Sequence, residues 1–277
     1  MVTEKLLVVV IVTPNSARHV PLLKMLKGDE RFEIKTLSAT MLDNNSDLLT
    51  SGVNFTQDYS EVFEGRKLTN REIGCANSHN LARAMISENP LGGVILEDDA
   101  RITNIDYFYT ISINFLHKEV GNPIVLSLTG FRLSKNVNSF LLNKDCRAVF
   151  RMLGKSDLAV AYVLTQESSR ILNHANVPIL SVSDWPESEC TYYALLHPAV
   201  FHGDQYTKSY ISLDQLDFRK GVSFLDKMKL FTFYSLKEVK GVEFKAYLKI
   251  VFWNRITWHL DSLAYTSILK AHRFTCK

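Results

Sequence analysis

Three adjacent carboxylates, Glu97, Asp98 and Asp99, stand directly after the short apolar run Val94-Ile95-Leu96. Side by side such groups repel one another unless something cationic sits among them. A hard divalent ion held by oxygen ligands, Mn2+ or Mg2+, meets that need, and the same ion can grip a diphosphate. The chemistry suggested is metal-assisted transfer from a nucleotide-activated substrate. A solvated loop behind a core strand would also carry three acids, and the tripeptide alone leaves both readings open.

Other devices for holding phosphate are missing. The chain has no Gly-x-x-x-x-Gly-Lys-Ser/Thr and no Gly-x-Gly-x-x-Gly, which counts against P-loop and ordinary dinucleotide readings. No Gly-x-Ser-x-Gly elbow marks a hydrolase. Without a glycine cradle, a diphosphate can be held by a metal ion and nearby basic side chains. Arg18 suits that use, and suits equally a solvated first turn of a helix. Glu72, Cys75 and His79 fall at i, i+3 and i+7, so they share one helical face that is polar where a core face would be apolar. One Cys and one His are too few for zinc without further partners, so these residues read as hydrogen-bonding groups packed beneath a site.

Alternating strands and helices have to position these groups. Leu6–Thr13 reads as a buried first strand rather than a signal peptide, since the run is short, follows Glu4 and Lys5 and lacks a small-x-small cleavage site. Ser16 is placed to cap a helix over 17–27, and a second strand covers 32–37. Residues 39–66 read as irregular, with Asn44-Asn45-Ser46-Asp47 as a turn. Thr69 and Glu72 form a capping box for a helix ending near Asn89-Pro90. Strands follow at 92–96, 124–128 and 159–164, helices at 105–118 and 166–175, and a hairpin or loop at 130–157. The pattern predicts an α/β fold, one Rossmann-type domain with a mostly parallel central sheet. Ligands of such sheets gather at the carboxyl ends of strands, where both Thr13 and the acid cluster lie.

Composition divides the 277 residues into two parts. Residues 218–277 carry twelve Lys/Arg against four Asp/Glu, a formal +8, with Trp253, Trp258 and ten Phe or Tyr. The remaining twenty basic and twenty-five acidic residues leave 1–217 at −5. The boundaries expected are therefore a catalytic domain over 1–217 and a basic, aromatic helical segment over 218–277. Phe244, Tyr247, Leu248 and Val251 line one face of a helix, and 243–277 reads either as an interfacial element for an anionic membrane or as a packing or homodimer surface. Nucleic acid is not an expected partner. Cys75, Cys146, Cys190 and Cys276 show no paired spacing, which fits reduced thiols in the cytosol.

Leu68-Thr69-Asn70-Arg71-Glu72-Ile73-Gly74-Cys75-Ala76-Asn77-Ser78-His79 resembles the Leu-Thr-x-x-Glu-Ile-Gly-Cys-x-x-Ser-His block of glycosyltransferase family 25, the bacterial lipopolysaccharide and lipooligosaccharide transferases related to collagen galactosyltransferases. Ile95-Leu96-Glu97-Asp98-Asp99-Ala100 is similar to its Ile-Leu-Glu-Asp-Asp-Ala block. Ala161-Tyr162-Val163-Leu164-Thr165 and Val182-Ser183-Asp184 are weaker matches. Val10-Ile11-Val12 with Arg18 resembles the family's start, though an Asn expected there is absent. The resemblance spans roughly residues 6–215.

That resemblance implies a GT-A-like fold, a UDP-sugar donor (UDP-galactose first), a divalent cation and a lipid-linked oligosaccharide acceptor. With the basic, aromatic segment 243–277, such an acceptor made at the inner leaflet leads to the expectation of a cytoplasmic protein peripheral on the inner face of the inner membrane. Asp99 is the expected metal ligand, with Asp98 second and His197 or His202 reaching in from the far side. Thr13, Arg18, Glu97 and Asp98 are expected around the nucleotide, Glu97 touching the ribose or orienting its neighbours. Asp184 is the expected base for the acceptor hydroxyl, with Trp185 stacking on a sugar ring and Glu187 and Glu189 in reserve; capping the Trp-Pro turn is its other reading. Two other functions remain: a non-catalytic sugar-nucleotide or glycan-binding protein on the same scaffold, and a nucleotidyltransferase, which Pro14-Asn15-Ser16-Ala17-Arg18 serves poorly because it lacks glycine and is short of basic residues.

Overall fold

The computed structural model describes residues 4–57, 67–129, 137–142, 148–152, 159–179, 188–195 and 198–203. The first strand, β1 (Leu6–Val12), is Leu-Leu-Val-Val-Val-Ile-Val, and β-branched residues on both faces suit a strand with neighbours on either side. It pairs in parallel with β2 (Phe32–Ser38) on one side and β3 (Gly93–Glu97) on the other. The full sheet has eight strands in the order β2-β1-β3-β8-β5-β9-β7-β6. Its other members are β5 (Ile124–Ser127), β6 (Val137–Leu142), β7 (Ala148–Met152), β8 (Ala161–Leu164) and β9 (Thr191–Leu195). The hairpin expected within 130–157 is the antiparallel pair β6 and β7.

Strand direction is mostly parallel, with β7 and β8 reversed, so three pairings are parallel and four antiparallel. The reversal of β8 is invisible in its own residues. Ala161–Leu164 is buried on both faces whichever way it runs. A separate two-stranded sheet joins β4 (Ala100–Ile102) to β10 (Val200–His202). Neither of these short strands, nor β9, was expected from periodicity.

Helices cover both faces. On one side α1 (Val20–Lys27) and α4 (Ile105–Lys118) contribute Leu22, Leu26, Phe108, Ile111 and Leu116 to a core with Val94 and Leu96 of β3. On the other, α3 (Asn70–Ser87) and α5 (Gln166–Ala175) contribute Ala82, Ile86 and Leu172 to a core with Ile95 and Tyr162. Alternation along β3 thus sends Ile95 and Glu97 toward α3 and their neighbours away from it.

Two helix starts differ from expectation. The first helix begins at Val20, not Ala17, and its cap is His19 without a side-chain bond. Ser16 instead accepts the Arg18 amide within a turn, and Pro21 in the first turn supplies the preset φ that starts the helix. Asn44-Asn45-Ser46-Asp47 opens α2 (Asn45–Thr50) through a capping box rather than forming a turn, because an Asn side chain serves both motifs. The Thr69–Glu72 capping box of α3 is present as expected, each cap of this kind contributing about 1 kcal/mol.

The loop after β2 is tied down on α3. Ser78 Oγ accepts the Thr40 amide at 2.8 Å and donates to the Gly74 carbonyl. A Cβ at Gly74 would collide with the Thr40 carbonyl, so glycine permits this close approach. Leu42 packs there with Leu68, Ile73, Ala76 and Ile179. The segment 218–277 lies outside the described residues.

Candidate active site

The parallel register sets Ile11 beside Glu97, so the chain leaving β1 passes directly over the acids that follow β3. Thr13 donates its amide to Asp98 Oδ2 at 3.2 Å. The turn through Asn15, a non-glycine residue at φ 60°, then brings Arg18 back. Its guanidinium lies 3.0 Å from Asp98 Oδ1 and 2.5 Å from Asp99 Oδ2. Thr13, Arg18, Asp98 and Asp99, each expected at one site, are together. Asp98 and Asp99 are buried to 4% and 6% exposure, which does not fit a solvated loop, and Arg18 lies ahead of the first helix rather than in its first turn.

His202 is the histidine that the described residues place here. It pairs with Ala100 across β4 and β10, which carries its Nε2 to 3.2 Å from Asp99 Oδ2. Gly203 lies so close to the Asp99 carbonyl that a Cβ there would collide with it, which presses this segment onto the cluster. His197 and Asp184, with Trp185 and Glu187, lie outside the described residues.

Among the described residues, Arg18 is the permanent cation paired directly with the acids, so the cluster of Glu97, Asp98, Asp99 and Arg18 keeps more negative than positive charge. Burial raises the Asp99 carboxyl above the ordinary carboxylate range; Glu97 and Asp98 add to the rise, and His202 and Arg18 oppose it. Asp99 Oδ1 is buried and has no hydrogen-bond partner among the described residues. A buried acceptor left unmade in a cluster with surplus negative charge suits a hard cation. The residues present therefore fit a divalent ion on Asp99, with Asp98 and His202 beside it.

Glu97 faces a different neighbour. His79 Nε2 meets Glu97 Oε1 at 3.1 Å, and His79 Nδ1 meets the Tyr162 hydroxyl at 2.8 Å, with the two rings stacked. Tyr162 arrives from β8, whose register sets it opposite Ile95. Burial pushes the Tyr162 phenol up to about 12. For Glu97, burial raises the carboxyl, but the hydrogen bond and charge of His79 together with the charges of His202 and Arg18 outweigh it, and the net direction is down. Burial holds His79 below its usual 6.5 despite the pull of Glu97. The polar face of α3 was legible beforehand, but its partners Glu97 and Tyr162 were not, because they arrive from two different strands. The pocket above these groups is walled by Ile11, Thr40, Met41, Leu42, Arg71, Cys75 and Ser78.

A family model described as Glycosyltransferase family 25 (LPS biosynthesis protein) matches residues 23–180. Comparison with curated proteins finds none that matches the chain.

The folded state disfavours protonation of His79, so the unfolded chain binds more protons as pH falls through about 6.5. His79 thus supports stability above that value, and the support is lost below it. Urea midpoints measured from about pH 7.5 to about pH 5 should fall in the wild type and fall less in His79→Gln. Identical pH slopes in the two proteins would remove His79 as the cause.

Proposed function

The chain belongs to glycosyltransferase family 25, and from that premise we propose that it moves a hexose, galactose first, from a UDP-sugar to a lipid-linked lipopolysaccharide or lipooligosaccharide acceptor with inversion. The observation that carries this reading is the Thr13–Arg18–Asp98–Asp99–His202 cluster at the carboxyl ends of β1 and β3, with its unmade Asp99 acceptor. A cluster at that edge of the sheet supports a GT-A-like reading of the fold.

Asp99, with Asp98 and His202, would hold Mn2+ or Mg2+. When bound, such an ion neutralises charge developing on the departing diphosphate. Arg18 holds the two aspartates close together, and its guanidinium lines the pocket where a phosphate would lie. Thr13 holds Asp98 through its amide, which aims that carboxylate across the strand ends. Glu97, oriented by His79, is the acceptor offered to a ribose hydroxyl. Asp184 is the proposed base: it takes the proton of the acceptor hydroxyl as that oxygen bonds to the anomeric carbon and the bond to UDP breaks. The basic, aromatic segment 243–277 is proposed to rest on the anionic inner face of the inner membrane, where a lipid-linked acceptor is reached.

Asp99→Ala should lower transfer from UDP-galactose by about a hundredfold or more with an unchanged circular dichroism spectrum. Wild-type turnover in that variant, or full activity of the wild type in excess chelator, would contradict the assignment. Asp184→Asn should lose transfer and keep UDP affinity by calorimetry, and a parallel loss of UDP binding would argue against its role as base. Removing 243–277 should weaken partition onto anionic liposomes by about tenfold or more, whereas unchanged partition would make the segment a packing or dimer element.

A further inference from the structure

Cys75 and His79 stand one turn apart on α3 and both line the pocket. In sequence they are two soft ligands without a third. The fold supplies it from another element: Glu97, at the end of β3, reaches the same point. A ligand atom of each of the three residues lies within 4.8 Å of the other two. His79 is buried, while Cys75 and Glu97 are half-buried on the pocket side.

The histidine is already held as a metal-binding imidazole is held. One ring nitrogen faces Glu97 and the other is fixed by the Tyr162 hydroxyl, the kind of outer partner that sets ring orientation and tautomer in such sites. Thiolate, imidazole and carboxylate together suit zinc. The neighbouring Asp98–Asp99 pair, rich in oxygen, suits magnesium or manganese.

We propose that Cys75, His79 and Glu97 form a second metal site, selective for a zinc-like ion, with its fourth position open to the pocket. Bond lengths of about 2.0–2.3 Å place tetrahedral ligand atoms roughly 3.3–3.7 Å apart, so closure requires movements of about 1.5 Å or less. Rotation of the cysteine and glutamate side chains spans that distance. Binding releases the thiol proton to solvent and leaves the ring proton of His79 on Nδ1, toward Tyr162. Occupancy withdraws Glu97 from any nucleotide in the pocket, so zinc acts there as an inhibitor rather than as the ion that assists transfer.

Cobalt titration of the full, metal-free chain tests the site directly, because a cobalt–thiolate bond absorbs intensely in the near ultraviolet. The band should saturate at about one equivalent, be displaced by zinc and resist a large excess of magnesium. It should vanish in Cys75→Ser and survive in Asp99→Ala. No band in the wild type, or one that persists in Cys75→Ser, would overturn the proposal. So would its loss in a folded Asp99→Ala protein, which would move the ion to the acid cluster. Should Cys75→Ser fail to fold by circular dichroism, His79→Gln decides: cobalt affinity falls at least about tenfold if the site is real, and stays unchanged if it is not. The readout is binding, so it stands apart from the transfer reaction.

Discussion

Negative charge gathered at the end of a buried strand has to be answered, and most of the site is built from the answers. β3 delivers Glu97, Asp98 and Asp99 where the sheet stops and water is scarce. One answer comes from the loop after β1, which turns back so that Arg18 bridges two of the acids. A second comes from α3, whose His79 takes Glu97. The third comes from β10, which carries His202 to Asp99. Among the described residues these answers are incomplete, because Asp99 keeps a buried acceptor unmade and a raised carboxyl. That unpartnered oxygen is the feature on which the proposed Asp99 metal site rests.

α3 does more than cover the sheet. Its capped start, its glycine contact with Thr40 and its Ser78 bonds fix the loop that forms one wall of the pocket. Its inner face then presents Cys75 and His79 to the floor. The two proposed metal sites differ in the hardness of their donors although they meet at the end of β3, Glu97 being its last residue and the two aspartates following it. Asp98 and Asp99 lie toward Arg18 and His202, while Glu97 lies toward the sulfur and imidazole of α3. The separation follows from the pleat of β3, which sends Glu97 to the α3 face, and from the turn beyond it, which carries the aspartates toward β1.

Much of this was readable from residue types. Runs such as Leu6–Val12 and Val94–Leu96 are too apolar and β-branched to be anything but buried strands. The Thr69–Glu72 box and the residues around Asn89-Pro90 mark both ends of α3, and 105–118 was placed at its true limits. Legibility failed where one local motif serves two structures. Ser16 reads as a cap and forms a turn; Asn44 reads as a turn and forms a cap. It failed again for β4 and β10, three residues each and too short for a period to show, and for the direction of β8, which no side chain encodes.

The sequence by itself determined the acid cluster, the strand that ends in it, the polar face of α3 and the family to which they belong. These depend on neighbours along the chain, within reach of spacing and capping rules. Only the tertiary structure decided which polar group meets which partner. Arg18 stands 81 residues from Asp99 and Tyr162 stands 83 from His79, and their meeting depends on strand order and register. Cys75 and His79 are two ligands without a third in the sequence, and only the fold brings Glu97 within 4.8 Å of both.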